Sequence, residues 1–587
     1  MMSDYIFDDP DVNAPVPPTA SRIYYGPTDR EGDALSFVRF LGVLGKPPLY
    51  YSDISVWSDP ASSAAVSGNT CTLPQLASDS GPEAFAYINS LLTTCLQEHE
   101  SCKRTMAKAL VDETLGPRLP TRVLDVGEIN GEHIRLVETN GRQGNFCALS
   151  YCWGPKGTQT MITTRDNIND RFNGIRFDEL PKTFRDAVIV TREIGIRHLW
   201  IDSLCIIQGD RQDWAKEAAK MADVYQNARL VIAASGAENP DQGCFSNKRR
   251  CPYGVKVSHY AQDGQRNGFM QLSVPVQGES ASFWGPLSKR GWTLQEQHLA
   301  RRILYFMPAG ITWKCNMLMT NERTTALLED FDGWPDLLQK YSARQLTYKE
   351  DRLAAIEGLG RAIQETSRDK YSRGIFEATI PEQLLFMMEH RADKSDRLDT
   401  LPSWHWASKG GPKVFWKTQG AAWRRLHEQI ATEPSGILKV QGFMAKCKIL
   451  RTRPGQVDPA EDQVFSHLES TIQQSRDDPL RWIQTSSRPA RLAGIAMLDD
   501  EHFASAHILF LVQWEDYGKL MNTRSLFTFD DEVEFTNRET TEMPYLVLLL
   551  RPSPTREGCF QRVGMGFVIP GPESDGVSAT LENITLI

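Results

Sequence analysis

A chain of 587 residues exceeds what one hydrophobic core usually supports, so several domains are expected. Hydrophobic residues at 41% and charged residues at 24% are ordinary for a globular protein, and a net charge of −9 excludes the basic footprint of a nucleic-acid binder. No uncharged apolar run approaches the ~20 residues that cross a bilayer, which excludes a helical membrane span.

The stretch Met1 to Pro18 is acidic and proline-bearing and lacks the basic start and apolar core of a secretory signal. Eleven cysteines in a chain this long fit reduced thiols better than a disulfide framework, and a cytoplasmic protein is expected. To about Thr121 the chain mixes turn-rich sequence, a Ser/Ala-rich segment near Ser62 to Thr70 and one helical pattern from Pro82 to Ala109, read as an N-terminal appendage over residues 1–120. Cys95, His99 and Cys102 stand at i, i+4 and i+7 of that helix. Three groups on one helix rarely close a zinc tetrahedron and no fourth is evident, so they are read as a packed face of ordinary thiols, with no metal site assigned.

From Arg122 to Val137, apolar residues bracket Asn130-Gly131, the dipeptide that best supports a tight hairpin. An α/β alternation follows: a buried strand near Phe146 to Trp153, a helix from Pro181 to Ile194 ended by Gly195, and a strand from His198 to Ile207. Asp210 or Asp213 caps the next helix, whose Trp214, Ala218, Met221 and Tyr225 form one stripe before a strand at Arg229 to Ser235. Val255 to Tyr260 and Met270 to Val274 read as an inserted hairpin, after which come a helix at Trp292 to Ala300 and a strand at Arg302 to Phe306. The α/β domain is thus placed at 121–330 and a helical segment at 331–400, with Leu353, Ile356, Leu359 and Ile363 at helical spacing. From 401 to 587, short β-rich runs at Val414 to Trp416, Ile437 to Phe443, Ile508 to Trp514, Tyr545 to Leu550 and Gly564 to Ile569 predict an antiparallel β domain.

Four segments carry a resemblance to a known family. Ala148 to Gly154 reads ALSYCWG, Leu199 to Gln208 reads LWIDSLCIIQ, Met221 to Ala228 reads MADVYQNA, and Ser288 to Glu296 reads SKRGWTLQE. In this order they resemble the fungal heterokaryon-incompatibility (HET) domain. Further segments that fit it are Leu119 to Asp125, Leu346 to Gly358 and Pro402 to Ser408, so the resemblance covers most of residues 90 to 420. The resemblance implies self/non-self recognition and a cell-death response. The HET domain is in turn similar to TIR domains, which implies a flavodoxin-like parallel sheet with ligands at the carboxyl ends of its strands.

Catalytic TIR domains cleave nicotinamide from NAD, and on that resemblance Glu296 is the carboxylate that would hold the ribose, with Asp202, at the place of the Asp that ends the second strand, as a further catalytic candidate. Ser150, Tyr151, Trp153, Gly154, Arg290 and Trp292 are the implied ligand contacts, the aromatic rings serving as walls for the leaving base. Plainer roles stand beside these: Glu296 near a helix start favours the helix dipole, and aromatic residues at strand ends are usually core. Cys205, three residues beyond Asp202, would be a thiolate nucleophile if the strand ends early, with His198 or His298 as base; otherwise it is a small buried hydrophobe. Asp351 and Arg352 are read as bracing a helix, and His405, between Trp404 and Trp406, as an exposed histidine on a strand. No cofactor is required, NAD would be a substrate, and a nucleotide-like ligand with a protein partner or self-association is expected. Two further readings are a non-catalytic oligomerisation module and an enzyme acting on a small organic substrate through Cys205 or Glu296.

Overall fold

The computed structural model describes residues 78–129, 131–155, 161–245, 285–307, 310–321, 333–390 and 394–415, shorter stretches between 423 and 514, then 545–568 and 579–587. It also describes Leu76 and the backbone of strands between 22 and 72, between 254 and 273, and at 325–327. Met1 to Pro18, Ser62 to Thr70 and Asn130 lie outside the described residues. Two compact units emerge, Met1–Asp330 and Phe331–Ile587.

In the first unit, helix α1 (Pro82–Glu98) precedes a hairpin of β1 (Arg122–Asp125) and β2 (His133–Glu138). There follow β3 (Phe146–Ser150), α2 (Lys182–Glu193), β4 (His198–Trp200), α3 (Arg211–Ala218), α4 (Met221–Asn227), β5 (Leu230–Ala233), α5 (Thr293–Leu299), β6 (Arg302–Met307) and β7 (Gly310–Cys315). All seven strands belong to one mixed ten-stranded sheet. At its centre β4, β3, β5 and β6 lie side by side and parallel. The hairpin β1–β2 extends one edge antiparallel and β7 the other. Winding reverses beside β3: the crossover through α2 leads to its neighbour on one side, and the next crossover leads to β5 on the other.

Physical reasons for this arrangement are visible strand by strand. β3, β5 and β6 are buried along their whole length, the pattern of strands covered on both faces. Helix α2 buries Phe184, Ala187, Val188 and Thr191, the face read from the sequence. Gly195, just past its end, has φ +73°, and its N–H donates to Arg192 O at 2.9 Å, so the helix stops where the left-handed glycine predicts. Leu149, Ile232, Leu304 and Phe184 belong to one core cluster with Phe85 and Ile88 of α1, each such side chain worth about 1.5–3 kcal/mol when withdrawn from water.

Several expectations need correction. The hairpin at Arg122 forms with Arg122 opposite Glu138 and Asp125 opposite Arg135, and Asn130 of its expected Asn130-Gly131 turn lies outside the described residues. The strand expected over His198 to Ile207 ends at Trp200, and Asp202–Cys205 is a helical turn. An unbroken apolar run does not distinguish strand from buried helix. The single helix with one stripe is two helices broken near Ala219, and Trp214 is 42% exposed while Met221 and Tyr225 are buried. The N-terminal region carries strands besides its helix: Arg22–Pro27, Leu35–Leu41, Tyr51–Ser58 and Cys71–Thr72. The inserted hairpin forms as Gly254–Tyr260 and Arg266–Ser273, and its second strand pairs with Tyr51–Ser58 in a separate six-stranded sheet.

The second unit opens with helices Trp334–Ser342 and Ala354–Ser367 and continues into a nine-stranded sheet. Its pairings are antiparallel except for Cys559–Val568 against Thr580–Leu586. Here Arg352 braces not its own helix but the segment beyond it, donating to Ala407 O at 2.7 Å and pairing with Asp396. His405 is not exposed: it retains 4% of its surface, bonds Arg373 O through Nε2 at 2.8 Å, and accepts from Ala407 N at Nδ1. The Pro402 to Ser408 segment turns as a 3-10 element at Trp406–Ser408 rather than running as a strand, which is why strand alternation misplaced the ring. Among the described residues no helix is long and apolar enough to cross a membrane.

Candidate functional site

In an open α/β sheet, ligands bind beyond the carboxyl ends of the parallel strands where the winding reverses. Here that point lies between β3 and β5, where Ser150 is in register with Ala233. Ser150 ends β3, Asp202 follows β4, and Glu296 stands in the first turn of α5, the helix that leads into β6. The topology therefore brings together residues separated by nearly half of the first unit.

Glu296 is the centre of the cluster. It is 5% exposed, accepts a hydrogen bond from Ser150 Oγ, and accepts another from the Tyr225 hydroxyl. Tyr225 Oη also lies 3.4 Å from Leu149 O. Burial pushes the Glu296 carboxyl up to about 7, opposed by the nearby Arg290 charge and the Ser150 hydrogen bond and reinforced by Asp202. Such a group is divided between acid and carboxylate near neutral pH.

Asp202 forms the second acidic position. Trp153 Nε1 donates to its Oδ2 at 2.7 Å and Ser203 N donates to its Oδ1 at 2.6 Å. Burial raises its carboxyl, while Arg290 and these donors oppose the rise. Tyr151 is buried in an edge-on contact with Phe184 of α2, and its phenol is held well above its ordinary value by burial and by Asp202. Arg290 donates to Tyr151 O and lies near both carboxyl groups, so one cation serves two acids. Trp153, Gly154, Asp202, Arg290 and Trp292 keep part of their surface accessible, whereas Ser150, Tyr151, Tyr225 and Glu296 are buried. Gly154 takes φ +80° in the turn beyond β3, a conformation that suits glycine.

Seven of the residues singled out from the sequence thus fall into this neighbourhood: Ser150, Tyr151, Trp153, Asp202, Arg290, Glu296 and, by its place before α5, Trp292. Cys205 is different. Its thiol is buried and pushed up to about 12, chiefly by desolvation, while its carbonyl accepts from Arg122 Nε at 2.7 Å. That is a packed small hydrophobe rather than a poised thiolate. The histidines considered as its base bond main-chain carbonyls instead, His198 to Asn145 O and His298 to Leu294 O. Tyr225 is the member that sequence reasoning missed. It was assigned only to a packing stripe, although its place within Met221 to Ala228 could have drawn notice.

A second grouping corrects the reading of the N-terminal cysteines. Helix α1 ends at Glu98, and His99 and Cys102 lie beyond it in a cap and a 3-10 turn. Cys315 of β7 supplies the fourth partner that the sequence spacing did not reveal.

The fold and the site together define an α/β domain with an acidic, aromatic-lined centre at its strand reversal. The description "Heterokaryon incompatibility protein (HET)" belongs to the family whose sequence pattern matches residues 146–296, a span that begins with β3 and ends on Glu296. Similarity extends to heterokaryon incompatibility protein 6, OR allele, of Neurospora crassa, at 29% identity over 100 residues. That alignment covers 16% of this chain and 14% of the relative's length. Residues 146–296 of the chain thus carry the pattern of a HET domain.

Proposed function

We propose that this HET-domain protein acts in the cytoplasm in fungal self/non-self recognition, and that the centre around Glu296 binds a nucleotide-like ligand and cleaves the nicotinamide–ribose bond of NAD. The strand order, with parallel neighbours to either side of β3, is compatible with the flavodoxin-like plan shared by TIR domains and supports this reading. The observation that carries it is Glu296 itself, a buried carboxyl pushed up to about 7, near the strand reversal at which open α/β sheets commonly take their ligands.

In this reaction the bond from ribose C1 to the pyridine nitrogen breaks, and the nitrogen keeps the electron pair and leaves as neutral nicotinamide. Water bonds to C1 and releases a proton. Ionised Glu296 would hold the ribose hydroxyls and stabilise the positive charge developing at C1. Trp153 and Trp292 would flank the leaving base. Nicotinamide release from NAD by the purified full chain, abolished in Glu296→Gln, is the expected result. No turnover by either monomeric or assembled protein would overturn the enzymatic part.

One observation favours a second reading, a non-catalytic module working by self-association or by binding a protein partner. Glu296 already has two protein donors, Ser150 and Tyr225, and joins β3, α4 and α5 as a strut would. Under that reading Glu296→Gln retains assembly and the incompatibility response. The small-substrate reading through Cys205 finds no support in a thiol this deeply buried.

A further inference from the structure

We propose that Cys95, His99, Cys102 and Cys315 form a structural zinc site. Each residue offers one ligand atom, these atoms all lie within 4.8 Å of one another, and all four residues are buried. Cys315 Sγ is 3.5 Å from His99 Nδ1. Tetrahedral zinc, with Zn–S of about 2.3 Å and Zn–N of about 2.0–2.1 Å, requires a sulfur–nitrogen edge of about 3.6 Å and sulfur–sulfur edges of about 3.8 Å. The Cys315–His99 edge matches that geometry, the four atoms are close enough to gather around one ion, and three sulfurs with one imidazole suit zinc better than a hard cation.

Local structure explains how one short segment supplies three of the ligands. If α1 continued, Cys95, His99 and Cys102 would form a row along one helix. Instead His99 leaves the helix with φ −97° and ψ 91°, and the 3-10 turn Glu100–Lys103 carries Cys102 back toward Cys95. The fourth corner comes from the end of β7, 216 positions after His99. Main-chain N–H groups of Met317 and Leu318 donate to the Cys315 sulfur.

The surroundings suit a charged cluster. Three thiolates around a divalent ion leave one net negative charge, and Arg302 Nε donates to Cys95 Sγ at 3.3 Å. The same guanidinium donates to Cys102 O at 3.1 Å and pairs with Glu113, so its position does not depend on the sulfur alone. Partners of this kind orient metal ligands and tune their charge. The ion would fasten α1 and the turn after it to the β7 edge of the sheet, closing a loop that contains most of the HET domain.

Elemental analysis of the full chain purified under reducing conditions tests this directly, with about one zinc per chain expected. Cobalt exchanged into the chelated protein should give the intense visible bands of a tetrahedral site and a thiolate-to-metal charge-transfer band. Cys315→Ser should lose the zinc and lower the thermal midpoint. Because that variant could fail to fold, a second measurement uses the parent chain: titration with an organomercurial in the presence of a colorimetric chelator should release the zinc as the thiols react. Zinc-free protein that binds neither added zinc nor cobalt under reducing conditions would overturn the proposal, as would a disulfide between any two of these cysteines in freshly purified protein.

Discussion

Ser150 at the end of β3 donates its hydroxyl hydrogen to the carboxylate of Glu296 in α5, across 146 positions of sequence. The bond favours the ionised carboxyl, opposing the burial that pushes it up to about 7. Ser150→Ala removes one of the two protein donors and should move the Glu296 titration midpoint further upward. Infrared difference spectra of the buried carboxyl across pH would report this. A midpoint that stays in place or falls would show that the hydroxyl does not hold the carboxylate.

Glu296 also links stability to pH. Its folded value of about 7 exceeds the ordinary 4.5, so the folded chain holds this proton more tightly than the unfolded chain does. The contribution is fully present below about pH 4.5 and is lost as pH rises through about 7. A shift of this size corresponds to roughly 3 kcal/mol. Glu296→Gln is neutral throughout, so its advantage over the parent in urea unfolding should grow between about pH 5 and about pH 8. An equal difference between the two proteins at both pH values would contradict a buried, titrating Glu296.

The α/β order was legible because its signals are local: apolar runs of strand length, a helical stripe over Phe184 to Thr191, and Gly195 at a helix end. Where those signals are degenerate, the reading failed. Leu199 to Ile207 is apolar enough for a strand, yet it turns helical at Asp202 and brings Asp202 within reach of Trp153. Ser150, Asp202 and Glu296 were identified through resemblance, but the donor Tyr225 was not, because a tyrosine on an apolar stripe looks like core until its hydroxyl's partner is known. Cys315 could not be joined to Cys95 by spacing, since only the sheet brings β7 beside the end of α1. His405 was misplaced for a different reason: alternation assumes a strand, and the chain turns there.

Glu113 joins three arginines in one buried network. It pairs with Arg301 and Arg302 and lies 3.2 Å from Arg229 Nη1, and Arg301 and Arg302 are almost wholly buried. Burial alone would raise the Glu113 carboxyl, but Arg301 and Arg302 hold it below its ordinary value. Its contribution is therefore present above the ordinary carboxylate range and is lost as pH falls through the depressed folded value. Glu113→Ala leaves buried guanidinium groups without their carboxylate, which costs about 3–5 kcal/mol at neutral pH. The loss should shrink in acid, where the parent also protonates; a urea midpoint that hardly moves at neutral pH would show the network to be dispensable.

In the second unit, Gly564 is placed where a side chain has no room. It pairs antiparallel with Leu498 across Leu492–Leu498 and Cys559–Val568. A Cβ there would sit 2.2 Å from Met497 O and 3.0 Å from Leu498 Cα, both main-chain atoms that no rotamer change can move aside. The strands would have to separate, opening the cluster that holds Leu498, Val563 and Leu549. Gly558 provides the control: it has φ +73° but nothing within 4 Å of an added Cβ, so alanine there adds only the cost of a left-handed residue, about 1–2 kcal/mol. Gly564→Ala should therefore cost more than Gly558→Ala, reaching the range of roughly 4 kcal/mol or above that marks a broken core. Thermal unfolding of the two variants beside the parent decides it, and equal shifts would show that the sheet absorbs the extra methyl.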